Sequence, residues 1–154
     1  GFSVLERALK NVVGEARTKQ GRKSSTSFLI VDAQSVKNTD SAREKGYDAG
    51  KKVSGIKRHI AVDTQGLPHA IAYDGGYVGQ PFAQAVEELL GAEVQIAKRS
   101  ELHIFAVMPQ RWVVERSFAW LEKNRRLWKN CERLLNTSLQ FVHLAFLALL
   151  LRRS

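Results

Sequence analysis

The chain has 154 residues, enough for one domain with a hydrophobic core, and its 44% hydrophobic content is typical of a globular protein. With 24 Lys and Arg against 15 Asp and Glu, the net charge is +9, which favours a polyanionic partner, nucleic acid first. The alternative is a small basic protein with a solvated surface. The one cysteine, Cys131, excludes an intrachain disulfide, and no apolar run reaches the roughly 18 residues of a membrane span.

The first third of the chain predicts a helix, a linker and a buried strand. Gly1 to Ala16 has helical apolar spacing, and Thr18 to Ser27 is polar and basic, as in a linker. Phe28 to Asp32 is a short apolar run that stops at an acid, which indicates a central strand ending at Asp32. Asn38 to Ser54 is polar and contains glycines, so we expect a loop there.

The middle of the chain predicts a hairpin, a helix and one more strand. Lys57 to Asp63 and Leu67 to Tyr73 are β-prone and flank a glycine-containing turn, which predicts an antiparallel hairpin. Pro81 suits the first turn of a helix, and the apolar stripe after it stops at Gly91. Glu93 to Lys98 alternates as a strand does.

Two helices complete the predicted order of α, β, β-hairpin, α, β, α, α. Gln110 to Trp128 reads as a long charged helix, and Thr137 begins a last helix that runs to about Leu151. The apolar run Phe141 to Leu151 is interrupted by His143, so it favours a packed amphipathic helix. We therefore expect a mixed α/β protein.

Four acids are the candidates for chemistry: Asp32, Asp63, Asp74 and Glu115. On a helix, Glu115 shares one side with Trp112, Ala119 and Glu122, and it would need Arg111, another cation or a metal if that side were buried. Carboxylates from different elements can hold Mg²⁺, which prefers oxygen ligands. The alternative is that these acids are solvated or ion-paired.

The basic residues lie in clusters that could contact phosphates. The aromatic residues Tyr47, Tyr77, Trp112 and Trp120 could stack on unpaired bases. The alternative is that Trp112 and Trp120 are core residues, which we favour for Trp120. The four histidines have no metal-ligand spacing, and we expect them to be structural or to face DNA. The candidate DNA-contacting residues are Lys51, Lys52, Lys57, Arg58, His59, Lys98, Arg99, Arg111, Arg116, Lys123, Arg125 and Arg126.

Several long motifs in one order carry a family resemblance. They are Val31 to Lys37 (VDAQSVK), Gly46 to Lys52 (GYDAGKK), Lys57 to Thr64 (KRHIAVDT), Asp74 to Gly79 (DGGYVG), Arg111 to Trp120 (RWVVERSFAW) and Leu144 to Arg153. Together they resemble the C-terminal part of bacterial insertion-sequence transposases of the DDE type. Residues 28–154 would be the catalytic-type domain, and residues 1–27 the helical tail and basic linker of a preceding region.

The resemblance implies a ribonuclease-H-like fold in which Asp32, Asp74 and Glu115 are catalytic and hold two Mg²⁺ or Mn²⁺ ions. It implies cleavage of a phosphodiester at a transposon end and transfer of the freed 3′ hydroxyl to target DNA. Asp63 would then be a turn residue and not a metal ligand. The implied partners are double-stranded DNA and other copies of the chain on that DNA, in the bacterial cytoplasm at the nucleoid, with no role for a membrane.

The stretch before Asp74 departs from the family pattern, because the third strand runs straight into this acid. We therefore expect a sheet reduced by one helix and one strand. If the hairpin forms, Asp74 lies two strands from Asp32, roughly 10 Å across the sheet. Alternatively, residues 69–73 replace the missing strand and the hairpin is lost. The first arrangement predicts an inactive relative that binds DNA or oligomerises, and a shared site predicts an active transposase.

Overall fold

The computed structural model describes residues 3–37, 47–48, 53–74, 80–97, 111–124, 127, 129 and 135–153. In chain order the elements are α1 (Val4–Lys19), β1 (Phe28–Lys37), β2 (Tyr47–Asp48), β3 (Val53–Val62), β4 (Pro68–Asp74), α2 (Gln80–Leu90), β5 (Glu93–Ile96), α3 (Arg111–Glu122) and α4 (Leu135–Arg153). The fold is a mixed α+β arrangement consistent with the ribonuclease-H-like class, as the resemblance implied.

The sheet has the order β4-β3-β1-β5, with β2 beside the start of β3. β3 pairs antiparallel with both β1 and β4, so the predicted hairpin is confirmed and β4 runs in the same direction as β1. β5 lies on the other side of β1 and pairs with it in parallel, from Phe28 opposite Glu93 to Val31 opposite Ile96. The strand that follows α2 therefore borders the central strand.

The two faces of the sheet are buried by different helices, because successive side chains of a strand point to opposite faces. Ile30, Ile60 and Val62 belong to one buried cluster with Leu9 of α1, Val113 of α3 and Phe146 of α4. Leu29, Val31 and Ala61 belong to a second cluster with Ala83 and Val86 of α2. Helices thus cover both faces, and α1 packs into the same core as α3 and α4.

The ends of the helices follow from local sequence. Ser3 caps α1, since its hydroxyl accepts the N–H of Glu6 at 3.2 Å. Gly91, with φ of +61°, ends α2 in the left-handed region that glycine adopts without strain. None of the helices in the described part combines the length and apolarity that crossing a bilayer requires. In α4, Val142, Phe146 and Leu150 are buried, which confirms a packed helix.

Three predicted boundaries were wrong. β1 does not end at Asp32 but continues to Lys37, because its ladder with β3 extends to the pair Lys37–Gly55. Residues 38–54 are not all loop, since β2 and the first residues of β3 lie within them. The charged helix stops at Glu122 instead of continuing to Trp128. At its end, the Asn124 side chain donates to the backbone carbonyls of Trp120 and Leu121.

Candidate functional site

Asp32 lies in the middle of β1, on the sheet face that α3 covers. It belongs to the same alternating set as Ile30, which packs in the cluster with α3. Its carboxylate is half-buried and accepts the N–H of Ala33 at 2.8 Å. At this position a carboxylate of β1 could contact groups of α3.

Glu115 lies on the solvent side of α3. The side of α3 that packs on the sheet consists of Val113, Val114, Ser117, Phe118 and Leu121, all buried. Glu115 is exposed, and so are the residues predicted to share its side, Trp112, Ala119 and Glu122. A partner for a buried glutamate is therefore not required here.

Glu122, at the end of α3, bonds to a side chain of β1. The amide of Gln34 donates to its carboxylate at 2.5 Å, and Gln34 is two residues after Asp32 on the same sheet face. The contact fixes the end of α3 against the central strand.

Asp74 lies at the end of β4, two strands from β1. Its register partner is Lys57, whose partner on β1 is Ser35. Two strand spacings and three residues along the strand place the backbones of Asp32 and Asp74 roughly 14 Å apart. Asp74 also occupies a register position of the set that faces α2, whereas Asp32 belongs to the set that faces α3.

The strand register separates the backbones of Asp32 and Asp74, two members of the predicted triad. A divalent ion bound at about 2 Å to each carboxylate needs their oxygens within a few ångströms of one another. The backbones of Asp32 and Asp74 lie on strands that are not neighbours and are offset by three register positions, and Glu115 is exposed on the outer side of α3. Within the residues that the structure describes, no group of three His, Cys, Asp or Glu side chains could hold a metal ion.

A buried arginine occupies the sheet face beside Asp32. Arg58 is 1% exposed, and its guanidinium donates to the Tyr73 hydroxyl at 2.8 Å, the side-chain Oε1 of Gln34 at 3.2 Å and the Leu127 backbone carbonyl at 2.7 Å. Burial raises the pKa of Tyr73, and the positive charge of Arg58 partly offsets that effect. Arg58 therefore joins β1, β3, β4 and the segment after α3.

A second buried ionic cluster centres on Asp63, which is fully buried at the turn after β3. Its Oδ1 accepts the N–H groups of Gln65 and Leu67, and its Oδ2 lies 2.5 Å from Arg17 and 3.1 Å from His69. Burial by itself raises the pKa of Asp63, but the bonds from His69, Arg17, Gln65 and Leu67 outweigh it and lower the pKa to about 2. Asp63 therefore shapes the turn and ties α1 to it.

The predicted DNA-contacting residues separate into exposed, buried and undescribed positions. Arg116 and Lys123 are exposed and Lys57 is half-buried. Arg58 and His59 are buried, with His59 against the Phe82 ring at 5.3 Å, so neither reaches a surface that could contact DNA. The Arg111 side chain and Lys51, Lys52, Lys98, Arg99, Arg125 and Arg126 lie outside the described residues.

The exposed side of α3 also carries an aromatic–cation pair. Trp112 is 56% exposed, and the guanidinium carbon of Arg116 lies 5.0 Å from the centre of its ring. Trp120, in contrast, is half-buried and stacks on Phe146 at 5.6 Å, in agreement with the core interpretation. His143 is buried and bonded to the Leu139 carbonyl, which is a structural role.

Sequence reasoning missed the partners of these buried groups. The signal for Asp63 was present, since an acid three residues before Gly66 is typical of a turn in which a side chain bonds the backbone. Its partner Arg17 is 46 positions away, and the Gln34–Arg58 contact joins two strands. No local pattern marks such pairs.

Comparison with known proteins gives matches along most of the chain. A family model described as a transposase DDE domain matches residues 71–152, more than half of the chain, and a second with the same description matches residues 23–81. A putative transposase for insertion sequence element IS402 from Burkholderia cepacia is 38% identical over 102 residues, covering 66% of this chain and 44% of that protein. The chain thus spans less than half of that relative's length. No solved structure matches the chain.

Proposed function

The chain belongs to the family of DDE transposase domains, and from that premise we propose that it binds insertion-sequence DNA but does not cleave it in the fold described above. The proposal that the chain does not cleave DNA rests on the strand register, which separates Asp32 from Asp74. A DDE site needs its carboxylates on a common metal, and these two belong to strands that are not neighbours.

The proposal that the chain binds DNA rests on its positive charge. The chain carries a net charge of +9, and two cations are exposed, Arg116 on α3 and Lys123 directly after the end of that helix. Such cations contact phosphates irrespective of base sequence and give an affinity that falls steeply with salt. The partner would be the double-stranded DNA of the element's ends, bound in the bacterial cytoplasm at the nucleoid, with other copies of the chain on the same DNA.

The second candidate is an active transposase in which Asp32, Asp74 and Glu115 hold two Mg²⁺ or Mn²⁺ ions for cleavage and strand transfer. Family membership favours it, and so does the position of Asp32 on the sheet face covered by α3. It requires Asp74 to leave its place opposite Lys57 and the hairpin to rearrange. We rank it second for that reason.

Binding is tested by fluorescence anisotropy with duplexes from both ends of the insertion element, over a series of salt concentrations. We expect affinity to fall with salt, and the double variant Arg116→Gln/Lys123→Gln to reduce the slope of log K against log salt by about 2. The control double variant Arg116→Gln/Arg7→Gln removes the same total charge, but its second cation, Arg7, is exposed on α1 instead of beside Arg116. It should reduce the slope by about 1. Affinity that does not change with salt would contradict the proposal.

Cleavage is tested with the same duplexes in Mg²⁺ and in Mn²⁺. We expect no nicking above the level of the Asp32→Asn and Glu115→Gln variants, which serve as controls for contaminating nucleases. Metal-dependent nicking by the natural chain that both variants lose would overturn the proposal and establish the second candidate.

A further inference from the structure

Trp112 is unusual among the large hydrophobic side chains that the structure leaves exposed. In the described part of the chain, the others are aliphatic: Val4, Leu89, Leu144 and Leu151. The core side of α3 does not require Trp112, since Val113, Val114, Phe118 and Leu121 fill it. A large indole in water contributes little to folding, because its apolar surface is not removed from solvent.

Arg116 is held against Trp112 by the turn between β3 and β4. Its guanidinium donates to the backbone carbonyl of Gln65 at 3.3 Å while lying over the Trp112 ring. Gly66 has φ of +84°, and a Cβ there would lie 2.8 Å from the same guanidinium. The turn therefore fits Arg116 closely, and one face of the indole is covered by a positioned cation.

The spacing on α3 extends this pair into a stripe. At 100° per residue, Trp112, Arg116 and Ala119 fall within a sector of about 60° of α3. Lys123, the first residue after the helix, follows Ala119 by four positions and continues the stripe to a length of about 16 Å. All four are exposed. The small side chain of Ala119 leaves the surface between the two cations open. Glu115 and Glu122 lie at the edge of the stripe, so a polyanion would approach from the Arg116–Lys123 side.

We propose that this stripe binds an unpaired nucleobase of a DNA strand, with the base stacked on Trp112 and the adjacent phosphates at Arg116 and Lys123. This inference rests on the proposed DNA binding and adds a preference for unpaired DNA. Every base presents a π-face that an indole can stack on, and in a duplex those faces are already stacked on neighbouring base pairs. A cation beside the ring adds to the attraction for an anionic strand.

The test compares one sequence as a single strand and as a duplex, at one salt concentration, with the full chain. Trp112→Ala should weaken single-strand binding by about 10-fold or more and change duplex binding by less than about 2-fold. Trp112→Phe, which keeps a stacking ring, should retain most of the single-strand affinity. Leu144→Ala is the matched control, because Leu144 is a 49% exposed side chain on a different helix.

The following results would decide whether Trp112 stacks on an unpaired base. Quenching of indole fluorescence by the single strand that is present in the natural chain and reduced in Trp112→Phe would support stacking. Equal effects of Trp112→Ala on the two DNA forms, or no effect on either, would overturn this inference and leave the proposed DNA binding intact. A change in self-association without a change in single-strand affinity would also overturn it, since Trp112 would then face another copy. Failure of the natural chain to bind either DNA form would instead refute the proposed function.

Discussion

Lys57 and Arg58 are neighbours with the same charge and different environments. Lys57 is half-buried, and Arg58 is 1% exposed on the opposite face of β3. Strand alternation predicts that the two face opposite sides, but not that Tyr73 and Gln34 meet the guanidinium. A basic pair in a sequence therefore does not indicate two phosphate contacts when it lies in a central strand.

Replacing Arg58 with methionine should destabilise the chain. The change leaves the partly buried Tyr73 hydroxyl and the buried Leu127 carbonyl without the Arg58 donor, a cost of about 1 to 3 kcal/mol for each such group. We expect the free energy of unfolding, measured with urea, to fall by about 3 kcal/mol. The matched variant Arg116→Met, at an exposed position, should change it by less than about 1 kcal/mol. Equal losses for the two variants would contradict the role of Arg58 in the fold.

At the scale of elements, Asp63 joins the N-terminal helix to the hairpin. Arg17, near the end of α1, donates to Asp63 and also to the carbonyls of Lys23 and Ser25, so one side chain fixes the helix, the segment after it and the turn. The segment between α1 and β1 is thus bonded through Arg17 to the turn of the hairpin. This contact makes the position of α1 sensitive to the charge of one carboxylate.

The protonation of Asp63 should reduce the stability of the fold at acid pH. Its pKa is lowered to about 2 from an ordinary value of 3.8, so the folded state binds its proton less readily than the unfolded state. The stabilisation is therefore complete above about pH 4 and is lost as the pH falls towards 2, by roughly 2 kcal/mol. Urea unfolding from pH 5 to 2 should show this loss in the natural chain and a smaller one in Asp63→Asn. The exposed variant Glu88→Gln should behave as the natural chain does, and an unchanged profile in Asp63→Asn would refute this origin.

The order of elements could be predicted because apolar periodicity and turn residues are local signals. The hairpin around Thr64 to Gly66 and the helix ending at Gly91 are examples. The end of β1 could not be read, because the half-polar run after Asp32 is held in the sheet by β3 and not by its own apolar content. The early end of α3 depends on Asn124 bonding to carbonyls of that helix, which competes with the helical preference of the charged residues.

On the scale of the whole molecule, the neighbour of the central strand is the decisive feature. β5 occupies the position beside β1, in parallel, while β4 remains on the far side of β3. The sequence predicted both strands and the two-strand separation that a hairpin would impose between Asp32 and Asp74. It did not predict the further offset of three residues along the strand. It left open whether the hairpin would form, because parallel pairing of β5 with β1 depends on residues more than 60 positions apart.

The same arrangement leaves the outer side of α3 available for DNA. The buried side of α3 supports the sheet, so variants at Trp112, Arg116 and Lys123 should affect binding without unfolding the chain. The fold is consistent with family membership, and the register of β4 accounts for the separation of the Asp32 and Asp74 backbones.

The most direct test is a crystal structure of the chain grown with Mn²⁺ and duplex DNA from the element's ends, in which anomalous scattering locates the metal. We predict that the carboxylates of Asp32 and Asp74 lie more than about 8 Å apart and that no manganese ion contacts both. A manganese ion bonded to Asp32 and Asp74 together, with Glu115 turned towards it, would contradict the account and restore the site of an active transposase.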